Sequence, residues 1–244
     1  GTADPLGRVS SEGLLPGDGN AGLYYRLRDI CGNGPLVQVG YERTLADVPE
    51  LRWWQLLNAR YVLTHRQIDF PALTLVQEDP ARDERVYEIR LGQQPAWVAH
   101  AWRPAVSQPQ AIAWTADMAL DPLQTAVLEA EPVPSPQPAT GAERVRVTLW
   151  SEQRMAVEAD LSAPGVLVVS EVSYPGWNVR VNGKPARPLR AFGLLRAVAL
   201  PAGHSVVEWR FQPVAVWVGL GLAALTLAGF AWGLLRSRKR EWPS

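Results

Sequence analysis

Residues 166–183 read VLVVSEVSYPGWNVRVNG, and this stretch decides the fold. Val166 to Val172 is apolar enough for a central strand. Trp177 to Val181 alternates apolar and polar residues, the period of a strand with one covered face. It runs into Asn182-Gly183, a strong hairpin signal because both central residues of a type I′ turn need positive φ. The pattern continues outward on both sides. Arg144 to Trp150 alternates, and Arg154 to Leu161 follows, closed by the turn Ser162-Ala163-Pro164-Gly165. Downstream come Leu194 to Leu200, the turn Pro201-Ala202-Gly203, and Ser205 to Phe211. Strands at this spacing predict a β-sandwich over residues 142–212.

Upstream the pattern is mixed. Residues 131–141 (EPVPSPQPATG) carry four prolines and read as a semi-extended linker. Residues 1–130 read as an α/β subdomain. Its first 43 residues are rich in Gly, Pro and Asp, with an ordered stretch at Leu23 to Ile30 and a turn at Asn33-Gly34-Pro35. Thr44 to Asn58 reads as a helix with Asp47 as N-cap, Glu50 three residues on, and Leu51, Trp54 and Leu57 at helical spacing. Tyr61–Thr64, Leu73–Gln77, Arg85–Leu91 and Trp97–Trp102 read as strands, Ile112–Met118 as a helix, and Thr125–Glu129 as another strand. The fold class expected is α+β, mainly β.

Residues 213–236 form the last element. Val214 to Leu235 (VAVWVGLGLAALTLAGFAWGLL) is 22 residues without a charge, followed by Arg236, Arg238, Lys239 and Arg240. At 1.5 Å per residue such a run crosses the ~30 Å hydrocarbon core of a bilayer. Trp217 and Trp232 lie near its ends, where amphipathic rings prefer the headgroup region, and the basic residues 237–244 belong on the cytoplasmic side. The bulk of the chain is then expected outside the cytoplasm. The glycines 219, 221, 229 and 233 include spacings compatible with close helix packing.

No secretory signal is visible after Gly1, so export implies either a removed signal peptide or earlier membrane helices. Apolar residues make up 47% of the chain, enough for a sizeable core. Setting aside Arg236, Arg238, Lys239, Arg240 and Glu241 leaves 20 basic and 23 acidic residues, a net of −3. That balance argues against a nucleic-acid partner. The single Cys31 permits no internal disulfide and reads as a small buried residue.

The order Val168-Val-Ser-Glu-Val-Ser-Tyr-Pro-Gly-Trp177, Val181-Asn-Gly-Lys-Pro185, then Val198-Ala-Leu-Pro-Ala-Gly-His-Ser-Val-Val-Glu-Trp209 and a proline before the last helix resembles the C-terminal part of the YfhO-type bacterial membrane proteins. Gly32-Asn-Gly-Pro-Leu36 with Tyr41, Leu56-Leu-Asn-Ala-Arg-Tyr-Val-Leu63, and Arg85-Val-Tyr87 leading to Pro95-Ala-Trp97 look like the region preceding it. Those proteins are similar to multi-spanning GT-C glycosyltransferases that use polyprenyl-phosphate sugars. The resemblance implies a bacterial cell membrane location and a role in cell-envelope glycosylation. It also implies a non-catalytic tail that positions an acceptor or caps the transferase site. The expected partners are the lipid bilayer, an upstream transmembrane domain, and an envelope glycan or polyprenyl-linked sugar. The alternative is a stand-alone membrane-anchored carbohydrate-binding or adhesion module.

No catalytic constellation, metal site or cofactor is expected. His65, His100 and His204 are far apart in sequence and no Cys-x-x-Cys occurs. Asp79, Asp83 and Glu84 read as a solvated turn. Arg196 and Arg210 read as outward-facing or snorkelling on strands. Tyr174 and Trp177 are the candidate contacts, because Pro175-Gly176 forces a turn that can expose rings able to stack on sugars. The competing reading puts Trp177 in the sandwich core. Trp53 and Trp54 are the second pair. Adjacent helical residues point about 100° apart, so Trp53 is expected to be the more exposed, against a glycan, headgroups or the membrane domain.

Overall fold

The computed structural model describes residues 6–16, 22, 25–31 and 38–238, with backbone alone for 217 and 233–238. At its centre lies β10 (Gly165–Val172), whose first six residues are all buried. Leu167 and Val169 enter one core, Val166 and Val168 the other. The apolar run lacks alternation because both faces are covered, as in any strand interior to a layered fold.

β10 belongs to a six-stranded central sheet. Its order is β5 (Ala96–Ala99), β10, β14 (Leu195–Leu200), β13 (Leu189–Ala191), β7 (Thr125–Leu128) and β6 (Ala101–Pro104). Neighbours are antiparallel except β6 and β7, which run parallel across the crossover helix α3 (Gln108–Thr115). The Ser107 hydroxyl caps that helix by accepting from the Gln110 amide at 3.4 Å.

One face of the central sheet packs on a five-stranded antiparallel sheet. Its order is β12 (Lys184–Ala186), β11 (Trp177–Val181), β15 (Gly203–Phe211), β9 (Arg154–Leu161) and β8 (Arg144–Trp150). Here the alternation is clean. Met155, Val157, Ala159 and Leu161 face the core while Arg154 and Asp160 face out. Asn182 and Gly183, at φ 50° and 75°, make the two-residue turn between β11 and β12.

The opposite face of the central sheet packs against helices and a smaller sheet. That sheet is β1 (Arg8–Ser10), β2 (Ala59–Thr64), β4 (Glu84–Ile89) and β3 (Leu73–Asp79), with β1 parallel to β2. The helices are α1 (Val39–Asp47) and α2 (Glu50–Leu56). The protein is thus mainly β, as expected. The single helix expected from Thr44 is replaced by two. Pro49 restricts Val48 to extended backbone, φ −100° and ψ 135°, and this breaks the run. Asp47 closes α1 instead of capping a helix.

The central sheet also crosses the boundary expected near residue 131. β5 pairs with β10 from Val166↔Ala99 to Val169↔Ala96, so strands from before the proline-rich segment complete the sandwich. The proline-rich segment is itself held down. The Gln137 amide donates to the Pro164 carbonyl (2.9 Å), and the Thr140 amide to the Ser162 hydroxyl (3.0 Å). His100, at the corner between β5 and β6, completes a clasp. Its Nδ1 meets the Gln137 and Pro164 carbonyls at 2.6 and 3.2 Å, and its Nε2 meets Glu143 at 2.7 Å.

α4 (Val214–Arg238) continues from β15 through Gln212-Pro213. Val214–Trp232 has a mean hydropathy of 2.0 with none of it buried, so it is long and apolar enough to cross a membrane. The turn expected at Asn33-Gly34-Pro35, Leu36, and the tail after Arg238 lie outside the described residues.

Candidate functional site

Where β15 runs into α4, the loop between β10 and β11 folds against it. The Gln212 amide donates to the Gly176 carbonyl at 2.7 Å. Gly176 sits at φ 106°, and a Cβ there would lie 2.7 Å from the Phe211 ring and 3.2 Å from Pro213. Only glycine permits that backbone and that approach. The loop brings three rings together. Tyr174 and Phe211 are 5.3 Å apart at 64°, Trp177 and Phe211 5.4 Å at 44°, and Tyr174 and Trp177 6.1 Å at 79°. These are edge-on and tilted geometries favoured by ring quadrupoles.

Beside this cluster is an open cleft of about 320 Å³. Tyr174, Trp177 and Trp209 line it with Leu189, and Glu129 and Arg190 stand in its wall. Arg190 and Glu129 form a two-pronged ion pair, with Arg190 Nε donating to Glu129 Oε1 at 2.5 Å and Nη2 to the other oxygen. A planar guanidinium and a carboxylate held flat in this way present donors and acceptors at fixed angles. Trp177 answers both readings of its sequence. It is 8% exposed and belongs to the sandwich core, yet it also lines the cleft.

Behind Trp177 lies a buried charge cluster. Arg196 on β14 is 4% exposed, and its guanidinium carbon stacks 3.8 Å from the Trp177 ring centroid. This corrects the expectation that Arg196 points outward. Arg210 is exposed. Glu171 at the end of β10 gathers three guanidiniums: Arg8 at 2.9 Å, Arg196 at 3.7 Å, and Arg28 in direct contact. It also accepts from the Trp150 indole N–H at 2.9 Å. Burial pushes the Glu171 carboxyl up, but the three cations outweigh it and hold the group below the usual carboxylate range. Burial pulls Arg196 down to about 10 and lowers Arg8 as well. One carboxylate against three cations leaves a buried excess of positive charge. Arg196 Nε and Nη1 and the indole nitrogens of Trp177 and Trp209 have no hydrogen-bond partner among the described residues. Native interiors rarely leave such donors unpaired.

Trp53 and Trp54 are elsewhere. Both are buried, at 7% and 1% exposure, and they pack edge to face in the other core. Trp53 does not stand free for a glycan or a membrane domain. α2 is covered on several sides, since Arg52 beside it is buried too and donates to the Asp117 and Leu120 carbonyls. The Asp79–Glu84 turn is exposed, with Arg82 and Arg85 paired to Asp79 and Asp83.

Sequence reasoning reached Tyr174 and Trp177 through Pro175-Gly176. It missed Trp209, Glu129, Arg190 and Glu171. A carboxylate inside the run Val166–Val172 was the available signal, because a charge on a buried strand needs a partner. Compared with protein-family models, curated proteins and solved structures, the chain matches none.

Proposed function

We propose that this chain is a membrane-anchored, extracytoplasmic module that holds a glycan beside the leaflet and performs no bond chemistry itself. The observation that carries the reading is the cleft. Its aromatic wall suits the apolar face of a pyranose, and the Glu129–Arg190 pair suits adjacent hydroxyls. A volume of about 320 Å³ is at the low end for small-molecule sites and accommodates a small saccharide. The cleft opens next to the first turn of α4, so its ligand lies near the membrane surface.

The likeness to YfhO-type proteins supplies the setting. The chain would be the tail of a GT-C-like transferase that draws on polyprenyl-phosphate sugars, positioning the acceptor or capping the transferase site. α4 would cross the bacterial cell membrane with the basic tail in the cytoplasm. A stand-alone anchored carbohydrate-binding module would use the same cleft, and hydrophobic spans encoded upstream of Gly1 would separate the two.

The test is calorimetric titration of the full chain in nanodiscs with short envelope-type oligosaccharides. Binding is expected, and Glu129→Gln should weaken it about 10- to 100-fold, the worth of hydrogen bonds to a charged group. Affinity unaltered by Glu129→Gln, or no binding of any saccharide by the parent chain, refutes the reading.

A further inference from the structure

The outer face of the five-stranded sheet is graded in charge along its length. Strand register sets its residues in rows. Farthest from α4, His204, Asp160 and Arg144 stand in line; next come Glu158 and Arg146. Acid meets base in both rows, with His204–Asp160 at 2.7 Å and Arg146–Glu158 at 2.8 Å. The row nearest α4 differs. Arg210 lies directly between Asn178 and Arg154, with no carboxylate in the row. All three are exposed. Arg210 leans along its strand to Glu208 at 3.1 Å, while Arg154 has no ion-pair partner among the described residues. Like charges set directly opposite on neighbouring strands destabilise a sheet unless something bridges them.

This row is four residues from the start of α4, and the surroundings share its character. Tyr174 packs on Phe211 at this end and Trp150 closes β8 there, and Trp and Tyr are the rings that settle at a membrane interface. The carboxylates here are Glu152 in the β8–β9 turn and Glu208, against Arg154 and Arg210, and behind them Glu171 faces Arg8, Arg28 and Arg196. The end therefore carries a net +2. Without Asp4 and Asp18, which lie outside the described residues, the chain up to residue 235 carries 20 basic and 21 acidic groups, a net of −1, so the rest of the described body carries −3. The body is polarised, with its basic, aromatic end toward the apolar helix and its acidic mass away.

We propose that this end of the sandwich rests on the leaflet from which α4 emerges, with Arg154 and Arg210 flanking the phosphate of an anionic phospholipid and the Asn178 amide beside it. The bridging phosphate relieves the arginine–arginine opposition, and a negatively charged surface attracts the +2 end and repels the rest. The body is thereby held upright over its own anchor, and the cleft is kept at a fixed height. The inference rests on α4 crossing a bilayer and is independent of what fills the cleft.

The test uses the full chain in nanodiscs made from zwitterionic lipid or from the same lipid with a quarter of anionic phosphatidylglycerol. A nitroxide is placed at Gln153, in the turn nearest the leaflet, and separately at Ala202 at the opposite end, both on a Cys31→Ser background. Collision with a water-soluble nickel chelate reads exposure. The Gln153 label is expected to lose accessibility in the anionic discs, and the Ala202 label is not. Arg154→Gln with Arg210→Gln should restore it, each arginine carrying about fivefold in the docked-to-free ratio, and added salt should act in the same direction. Equal accessibility of Gln153 in both lipids overturns the proposal. So does indifference to the double substitution in a variant whose melting matches the parent's, and so does a chain that fails to enter the discs. Saccharide titration of the same samples reports separately on the cleft.

Discussion

The two ends of the sandwich use polar side chains in opposite ways. At the end away from α4, His100, Glu143, Ser162, Gln137 and Pro164 form a closed network in which each polar group meets a partner. A His100 ring carrying a proton on each nitrogen satisfies the three acceptors around it. At the end beside α4, one carboxylate serves three guanidiniums, and donors on Arg196, Trp177 and Trp209 are left over. The lesson is that saturation marks a joint and surplus marks a site. The clasp pins the proline-rich segment across a sheet boundary, whereas the Glu171 cluster keeps unspent hydrogen-bonding capacity behind the wall of the cleft.

The most forceful way to break the comparison is Glu171→Gln. It keeps the shape but leaves three guanidiniums buried without a counter-charge. Removing one partner from a buried charge pair costs about 3–5 kcal/mol, so a large fall in urea midpoint is expected. The same substitution at Glu143 should cost less, because that carboxylate meets one imidazole and the Ser162 hydroxyl and amide where Glu171 balances three guanidiniums. Equal losses at the two positions would mean that the contrast between the ends has no energetic content.

A step smaller is Gly176→Ala. At φ 106° with Phe211 2.7 Å from the new Cβ, the loop must shift. Strained backbone of this kind costs about 1–3 kcal/mol. The sharper expectation is local: the Tyr174–Trp177–Phe211 cluster should loosen, raising amide exchange over residues 173–178, while the clasp stays protected. Loss of protection spread evenly over the sandwich would show instead that the ring cluster is an ordinary part of the core.

These contrasts also show what could be read from the chain. Strands β8, β9 and β11 match their expected spans because each has one covered face, and period-2 alternation records that directly. β12 and β13 were missed. They are three residues each, Pro185 lies within β12, and Pro188 immediately precedes β13, so neither shows a pattern long enough to read. The membership of β5, β6 and β7 in the central sheet is a fact of pairing, which leaves no trace in local sequence. Trp53 is the more exposed of the pair, as its spacing indicates, but it is still buried, because tertiary packing covers Arg52, Trp53 and Trp54 alike where a single stripe would cover one face. The site divides in the same manner. Tyr174 and Trp177 announce themselves through the turn between them, but Glu129 and Arg190 lie 61 residues apart and meet only in the fold.

The smallest expected effect concerns acid, and a substitution at Glu143 isolates the clasp's share of it. Burial raises the Glu143 carboxyl, but hydrogen bonds from His100 and from the Ser162 hydroxyl and amide outweigh it, so the group titrates below its ordinary value in the folded state. A carboxylate lowered by folding stabilises the protein fully above its unfolded pKa, near 4.3, and this contribution disappears as pH falls through the lower folded value. Glu171 is lowered in the same direction, which means that the parent's acid unfolding reports both ends together. Melting curves from pH 7 to pH 3 for the parent and for Glu143→Gln isolate the clasp. The variant should melt lower at pH 7 and converge on the parent toward pH 3, while amide exchange at Gln137 and Thr140, held by Pro164 and Ser162, rises in the variant at neutral pH. Parallel curves at all pH values would mean that the clasp holds the proline-rich segment through its neutral hydrogen bonds alone, and that the Glu143 charge contributes nothing to the joint.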